Sequence, residues 1–288
     1  MYFDLFTNQP TLALAVMFIF ALCVGSFLNV VIHRLPRMME LEWEREREIA
    51  ETQDQPLDQP VYNLSQPASH CPACQHKIRW YENIPLLSYL FLRGRCSQCK
   101  VRISIRYPLV ELSTALIATY GVHHYGFNEI SLSFALLTFV LISLVMIDFD
   151  HQLLPDNLTL PLLWAGLLIN SYSVFTTLHL AVFGAVAGYM SLWLVYQGFK
   201  LATGKEGMGY GDFKLLAALG AWAGIDQLPV IIFLSALIAA ALGILMMALG
   251  RHNRDQPMPF GPFLAMAGWV AILWGDQIMG AYHQFLQV

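Results

Sequence analysis

The sequence predicts an all-α polytopic membrane protein of about eight transmembrane helices, interrupted once by a small polar domain between helices 1 and 2. Three observations carry that prediction. The 288 residues are 57% hydrophobic and 12% charged, with a mean hydropathy of +0.52, whereas a soluble domain carries about 25% charged residues. Apolar runs of roughly 20 residues, the length that crosses a bilayer, recur along the chain. The one sizeable polar stretch is residues 37–107. The net charge of −4 says little, because the charges are so unevenly placed. No basic face or nucleic-acid motif is present, which sets aside a nucleic-acid partner.

The apolar runs fall near residues 12–32, 108–125, 130–147, 157–175, 178–199, 213–227, 229–249 and 260–281. The sixth is only about 15 residues, or roughly 22 Å at 1.5 Å per residue. It crosses only if the glycine-rich stretch before it also enters the membrane, or if the bilayer is locally thin. With eight alternating spans, all 16 lysines and arginines land on one face. They are Arg34 to Arg106, Lys200 and Lys205, Lys214, and Arg251 with Arg254. The positive-inside bias makes that face the cytoplasm. No Lys or Arg precedes Arg34, and no small-residue cleavage site follows the first run, which reads as an uncleaved span with its N-terminus outside. The organisation is therefore residues 1–36 as first transmembrane helix, 37–107 as cytoplasmic insert and 108–288 as transmembrane core.

The first span closes with Gly25-Ser26-Phe27-Leu28-Asn29 and runs on to Arg34-Leu35-Pro36. Gly25, Ser26 and Asn29 lie at helical spacing and share one face. Asn29 is either an interhelical hydrogen-bond donor in close packing or a residue lining an active site. Cys23 reads as a small packed apolar residue. Residues 38–49 form a charged, solvated helix, and residues 53–69, rich in Gln, Pro, Asp and Ser, read as a linker.

Cys71-Pro72-Ala73-Cys74 is followed after 21 residues by Cys96-Ser97-Gln98-Cys99. Two CxxC pairs so spaced are the zinc-ribbon pattern, in which four thiolates close a tetrahedral Zn2+ site. Structural disulfides are rare in the cytoplasm, so a metal is favoured over a redox dithiol. A site with no open position is structural. His70 and His76 are surplus to it and read as surface residues. Between the knuckles, Trp80-Tyr81 and Leu86 to Leu90 are expected to dock the insert on the membrane surface, with Arg79, Arg93, Arg95 and Arg102 at headgroup level. Pro108 suits a helix's first turn. Glu111, one turn further into the membrane, is expected to pair with an arginine or belong to a polar site.

Carboxylates at the edge of hydrocarbon are costly and point to function. The third span ends in Asp148-Phe149-Asp150-His151, with Asp156 a few residues beyond. Asp148 and Asp150, two apart, cannot share a helix face. Asp148 directly follows Val145-Met146-Ile147 and is the most embedded, so it is the preferred functional acid; Asp150 and Asp156 take supporting or N-cap roles. The second acid lies in Gly209-Tyr210-Gly211-Asp212-Phe213-Lys214. Gly209 and Gly211 permit backbone conformations closed to other residues and close approach of a substrate backbone. Alone, this stretch reads equally as a glycine turn with a capping aspartate; Asp148 on the same membrane face favours function. Asp226 and Asp276 fall at the outer face and read as solvated.

These residues together resemble the bacterial type IV prepilin peptidases, the bifunctional leader peptidases and N-methyltransferases of type 4 pili and type II secretion. The resemblance covers Gly25 to Pro36, both knuckles with Gly94-Arg95-Cys96, Asp148 through Asp156, and Gly209 through Lys214. It implies catalytic roles for Asp148 and Asp212 and cleavage of a short basic leader, usually after a glycine, from prepilins and pseudopilins. It also implies methylation of the new N-terminal amine from S-adenosylmethionine, associated with the insert, where Gly94 and the four cysteines are the positions to watch. No glycine-rich strand–turn–helix of the Rossmann kind is present to hold that cofactor. Two carboxylates sharing a proton suit the cleavage: one activates water while the other polarises the scissile carbonyl. Lys214 is expected to tune Asp212 or touch substrate. The expected location is the bacterial inner membrane, with insert and active site on the cytoplasmic side.

Three rival readings compete. A zinc-dependent membrane protease needs an open metal position and a run such as HExxH, which is missing. A transporter also places intramembrane acids beside glycine breaks, but no inverted repeat is detectable. A secretion assembly factor would tolerate loss of both aspartates.

Overall fold

In the computed structural model, residue 6 and residues 9–52, 61–249 and 258–286 are described. The expected loop residues Arg251 and Arg254 and linker residues 53–60 lie outside them. The described residues are helical with no strand; two isolated bridges, His70 with Lys77 and Arg95 with Arg102, are the sole extended pairings among them. Contacts divide the chain into two compact units, residues 1–143 and 144–288. The boundary between them falls at residue 143, inside the stretch 108–288 expected as the transmembrane core.

In the first unit, α1 (Pro10–Thr52) is one helix of 43 residues. The charged helix expected over residues 38–49 forms as a continuation of the first span's helix, with no break at Pro36. Proline's fixed φ suits a helix, and its cost is the missing donor to the carbonyl one turn back. Arg34, two residues earlier, is buried and donates to the carbonyls of Asn63 at 3.0 Å and Pro67 at 2.7 Å. The same bonds hold residues 61–68, which sequence composition had placed in a linker. Asn63 shapes that segment by accepting the Ser65 and Gln66 N–H groups at 2.8 and 2.7 Å.

The second helix against α1 is α3 (Arg106–Tyr125); between them in the chain comes the short α2 (Leu87–Phe91) of the insert. Ala13, Met17 and Ala21 of α1 share a core cluster with Ala115, Ala118 and Val122 of α3. A Cβ on Gly25 would stand 2.8 Å from the Glu111 Cα, so only glycine lets these backbones approach. Asn29 donates to the Tyr107 carbonyl at 3.2 Å and to its own helix at Gly25. That is the interhelical donor of its packing reading. Glu111 is buried and has no arginine partner among the described residues; it accepts the Leu86 N–H at 2.8 Å and the Ser26 hydroxyl. Leu86 sits at φ 58°, a strained value for a branched residue, so the insert enters this junction with a constrained backbone. The next helix, α4 (Glu129–His151), runs across the division of the two units.

The second unit is arranged round α7 (Tyr210–Ala223), which packs against α5 (Asp156–Asn170), α6 (Leu178–Thr203) and α9 (Gly261–Leu286). The side chains of Phe213, Leu215 to Leu219, Ala221 and Trp222 are at most 2% exposed. Where α6 and α7 meet, Gly184 and Gly220 face each other: a Cβ on either would stand 2.2–2.3 Å from the other's carbonyl oxygen. Backbone contact this close needs glycine and replaces side-chain packing with dispersion between main chains. α8 (Leu228–Ala248) packs on α9.

The fourth apolar run was expected to continue to residue 175, but α5 ends at Asn170. The reason is polar and long-range. Buried Asn170 donates to the Ala221 and Trp222 carbonyls at 2.8 and 2.9 Å and accepts the Phe175 and Thr176 N–H groups. One side chain therefore pairs carbonyls that the C-terminal end of α7 leaves free and N–H groups of the loop that leads to α6. Every expected apolar run carries a helix, yet among the described residues five helices are long and apolar enough to cross a membrane: α1, α4, α6, α9, and α8 with the 3-10 turn before it. α5 and α7 have only 15 and 14 residues. Since α7 is wrapped in protein, lipid does not set its length.

Candidate functional site

Asp148 lies in the last turn of α4 and Asp212 in the first turn of α7, 4% and 8% exposed respectively. The two carboxylates are within electrostatic reach of each other. Asp212 occupies the end of α7 where free N–H groups favour an anion. Asp148 sits at the unfavourable end of its own helix but borrows another: its Oδ2 accepts the N–H of Gly261, the first residue of α9, at 3.0 Å. Each acid thus stands at a helix N-terminus.

Glycine is required at two places in this arrangement. A Cβ on Gly261 would stand 2.6 Å from Asp148 Oδ2, and one on Gly211 2.8 Å from the Leu154 Cβ. Leu154 also lies against Gly261, so one buried leucine spaces the entries to α7 and α9. The expected use of glycine conformational freedom does not apply. Gly209 is extended at φ −79°, and neither it nor Gly211 has a positive φ. What matters is size at Gly211 and open space at Gly209, where a Cβ meets nothing within 4 Å.

Lys214 does not turn to Asp212. It pairs with Asp156, its Nζ 2.7 Å from both carboxylate oxygens. Asp156 is consequently the first residue of α5 and half of an ion pair, rather than the N-cap; Pro155 holds the cap position. Tyr210 and Phe213, either side of the acid, form a tilted and edge-on cluster with Tyr196, ring centres 5.4–5.7 Å apart, which steadies the turn carrying Asp212.

In the insert, the four cysteines converge, with all four sulfurs within 4.8 Å of one another. Cys71 and Cys99 are 3.8 Å apart, Cys74 and Cys96 3.9 Å. Four thiolates about 2.3 Å from a tetrahedral zinc stand about 3.8 Å apart, so the donor set fits that ion. The two knuckles repeat one plan: the residue after each pair, Gln75 and Lys100, has φ 59° and 61° and donates to the first cysteine's carbonyl. The bridges His70 with Lys77 and Arg95 with Arg102 then close each turn at the same offsets.

Gly94 sits between the knuckles at φ 64°, where a Cβ would meet the Tyr89 ring at 2.9 Å. Its glycine identity is demanded by the backbone and by that ring. Beside it, a cavity of about 710 Å³ opens between the knuckles and the segment joining them. His76 faces it and is not a surface residue: its ring lies 3.3 Å from Glu82, whose side chain is 10% exposed. The Arg79 N–H, then the Ser97 hydroxyl, hold the Glu82 carboxyl below the usual carboxylate range.

Two family models match the chain: the bacterial peptidase A24 N-terminal domain over residues 19–125, and the type IV leader peptidase family over residues 135–244. The prepilin leader peptidase/N-methyltransferase of Pseudomonas aeruginosa is 54% identical over 283 residues, covering 98% of this chain and 97% of its own. That of Stutzerimonas stutzeri is 52% identical over 286 residues and 99% of both chains. The chain belongs to the type IV leader peptidase family. A third relative of the same name, from Aeromonas hydrophila, is 53% identical over 97% of both chains. No solved structure matches.

In this leader peptidase family member the structure brings together Asp148 with Asp212, and the four cysteines with one another. Asn29 and Glu111 meet at the α1–α3 junction of the first unit, and Gly94 belongs to the insert. Gly261 and Leu154 were missed from sequence. The one available signal was Phe260-Gly261-Pro262, a loop end that reads as a helix start with proline just inside it.

Proposed function

We propose that this chain is a membrane aspartic endopeptidase that removes the short basic leader of type IV prepilins and type II secretion pseudopilins, then methylates the new N-terminus. The observation that carries the reading is the buried Asp148–Asp212 pair at two helix N-termini, in a chain more than 50% identical to enzymes of that name.

The ionised carboxylate takes a proton from water as the oxygen attacks the scissile carbonyl carbon, and the protonated partner gives its proton to the carbonyl oxygen. Collapse of the resulting diol breaks the C–N bond, and the leaving nitrogen takes up a proton from the pair. The Gly261 N–H holds the Asp148 carboxylate in one orientation, and the open space at Gly209 leaves room for an extended substrate backbone. The Lys214–Asp156 pair ties the start of α7 to the start of α5, a positioning role.

The topology that supports this is the eight-span one, with the insert, both acids and the basic residues on the cytoplasmic face of the inner membrane. A substrate's basic leader then stays in the cytoplasm while its apolar stem enters the bilayer. Zinc held by Cys71, Cys74, Cys96 and Cys99 is structural, because four thiolates leave no open position. S-adenosylmethionine, when bound, would supply an electrophilic methyl on its sulfonium, which the unprotonated amine would take as the carbon–sulfur bond breaks, with a neutral thioether leaving and the amine losing a proton.

The test is prepilin cleavage by wild type, Asp148→Asn and Asp212→Asn, with methyl transfer to pre-cleaved pilin measured in parallel. Each variant should lose cleavage by roughly 10⁴-fold or more and keep methyl transfer. Cleavage by both variants would sink the two-aspartate mechanism.

A further inference from the structure

The four cysteines build two turns, and residues of both turns and of the segment joining them line one cavity. We propose that this cavity of the insert, with Glu82 as its central polar group, is the binding site for S-adenosylmethionine; this rests on the reading of the chain as a methyltransferase.

The size and the chemistry both fit. Its volume of about 710 Å³ falls in the range of roughly 300–1,000 Å³ that takes cofactor-sized molecules. The ligand has three unlike parts: a flat apolar base, a ribose diol, and a zwitterionic chain carrying a sulfonium. Tyr81, Leu87, Phe91 and Leu92 supply apolar and aromatic surface for the base. Glu82 supplies a carboxylate suited to a ribose diol, an ammonium or a sulfonium. It is fixed before any ligand arrives, by the Arg79 N–H at 2.9 Å and His76 at 3.3 Å. The Arg79 guanidinium donates to the Tyr81 hydroxyl and stands over that ring. A guanidinium has five N–H donors, so most remain for the ligand's carboxylate.

The site also gives the zinc a purpose. His76 follows the first CxxC pair by two residues, while Ser97 and Gln98 lie inside the second. Both knuckles therefore add polar groups to the cavity beside Arg79 and Glu82 of the segment between them, and a metal joining the knuckles would set its shape. Gly94 contributes at one remove: it seats Tyr89 under the chain that carries Phe91 and Leu92.

The test uses the full-length, zinc-loaded protein in detergent. Binding of radiolabelled S-adenosylmethionine is measured by equilibrium dialysis for wild type, Glu82→Gln and Leu92→Trp, with zinc per chain determined for each. Glu82→Gln keeps the side chain's shape and removes its charge, and Leu92→Trp fills the cavity. Both should weaken binding at least tenfold while retaining one zinc. Stripping zinc with a chelator should abolish wild-type binding, and ultraviolet cross-linking of the labelled ligand to wild type should mark a peptide within residues 76–98. Wild-type affinity in both zinc-retaining variants, or a cross-link outside those residues, would overturn the site while leaving the cofactor reading intact. No binding by wild type would overturn both.

Discussion

Gly261→Ala separates stability from catalysis. The added methyl would stand 2.6 Å from Asp148 Oδ2 and 3.1–3.2 Å from Leu154. The first contact cannot persist, and what yields is the free end of a short side chain: the carboxylate must swing off the α9 N-terminus. It then gives up its 3.0 Å hydrogen bond from the Gly261 N–H. A hydrogen bond to a charged group contributes about 1.5–3 kcal/mol, which corresponds to about 10- to 100-fold in rate at 1.36 kcal/mol per decade. A shift of about 1 Å in a reacting group costs a similar factor by itself. The expected result is a fall in kcat for prepilin cleavage of about 100-fold, with methyl transfer to pre-cleaved pilin unchanged and thermal unfolding in detergent lowered only slightly. Gly198→Ala, in α6 with nothing within 4 Å of the added carbon, is the control. Wild-type cleavage by Gly261→Ala would refute the claim that this N–H orients Asp148.

Lys214→Met tests whether the lysine acts on the acids or only on Asp156. The pair is 29% and 52% exposed, so its loss should cost about 0–1 kcal/mol and change cleavage by less than tenfold; a larger fall would place the lysine in the chemistry. Gly220→Ala drives a methyl to 2.2 Å from the Gly184 carbonyl oxygen, where only helix separation gives relief. It should destabilise by roughly 1–3 kcal/mol or more, read as a lower unfolding midpoint, and an unchanged midpoint would refute the tight α6–α7 contact. Removal of zinc, followed by a colorimetric chelator, should release one ion per chain and expose residues 71–99 to protease, because the fold of such a module depends on its metal. Resistance to protease after metal release would show that the knuckles hold without it.

The features legible in the sequence are those set by local spacing and by solvent. Two CxxC pairs declare a four-thiolate site because a knuckle needs only neighbouring residues to form, and the structure gathers Cys71, Cys74, Cys96 and Cys99 as expected. Apolar runs declare helices because hydrocarbon leaves the backbone no other partner. Asp148 and Asp212 stand out because a carboxylate beside such a run is expensive. Partners chosen across the fold were not legible. Pro36 stays within a helix whose neighbour Arg34 is held by residues of the next segment, and α5 stops at Asn170 because that side chain caps a helix some 50 residues on. Lys214 sits two residues from Asp212 but finds Asp156. Asp148 takes its donor from Gly261, 113 residues away. By itself the sequence determined which residues had to leave water and which could hold a metal, since burial cost and ligand chemistry belong to the residue. Which N–H meets which carboxylate was decided only when the helices packed, because a hydrogen bond depends on position to a few tenths of an ångström and no local pattern encodes it.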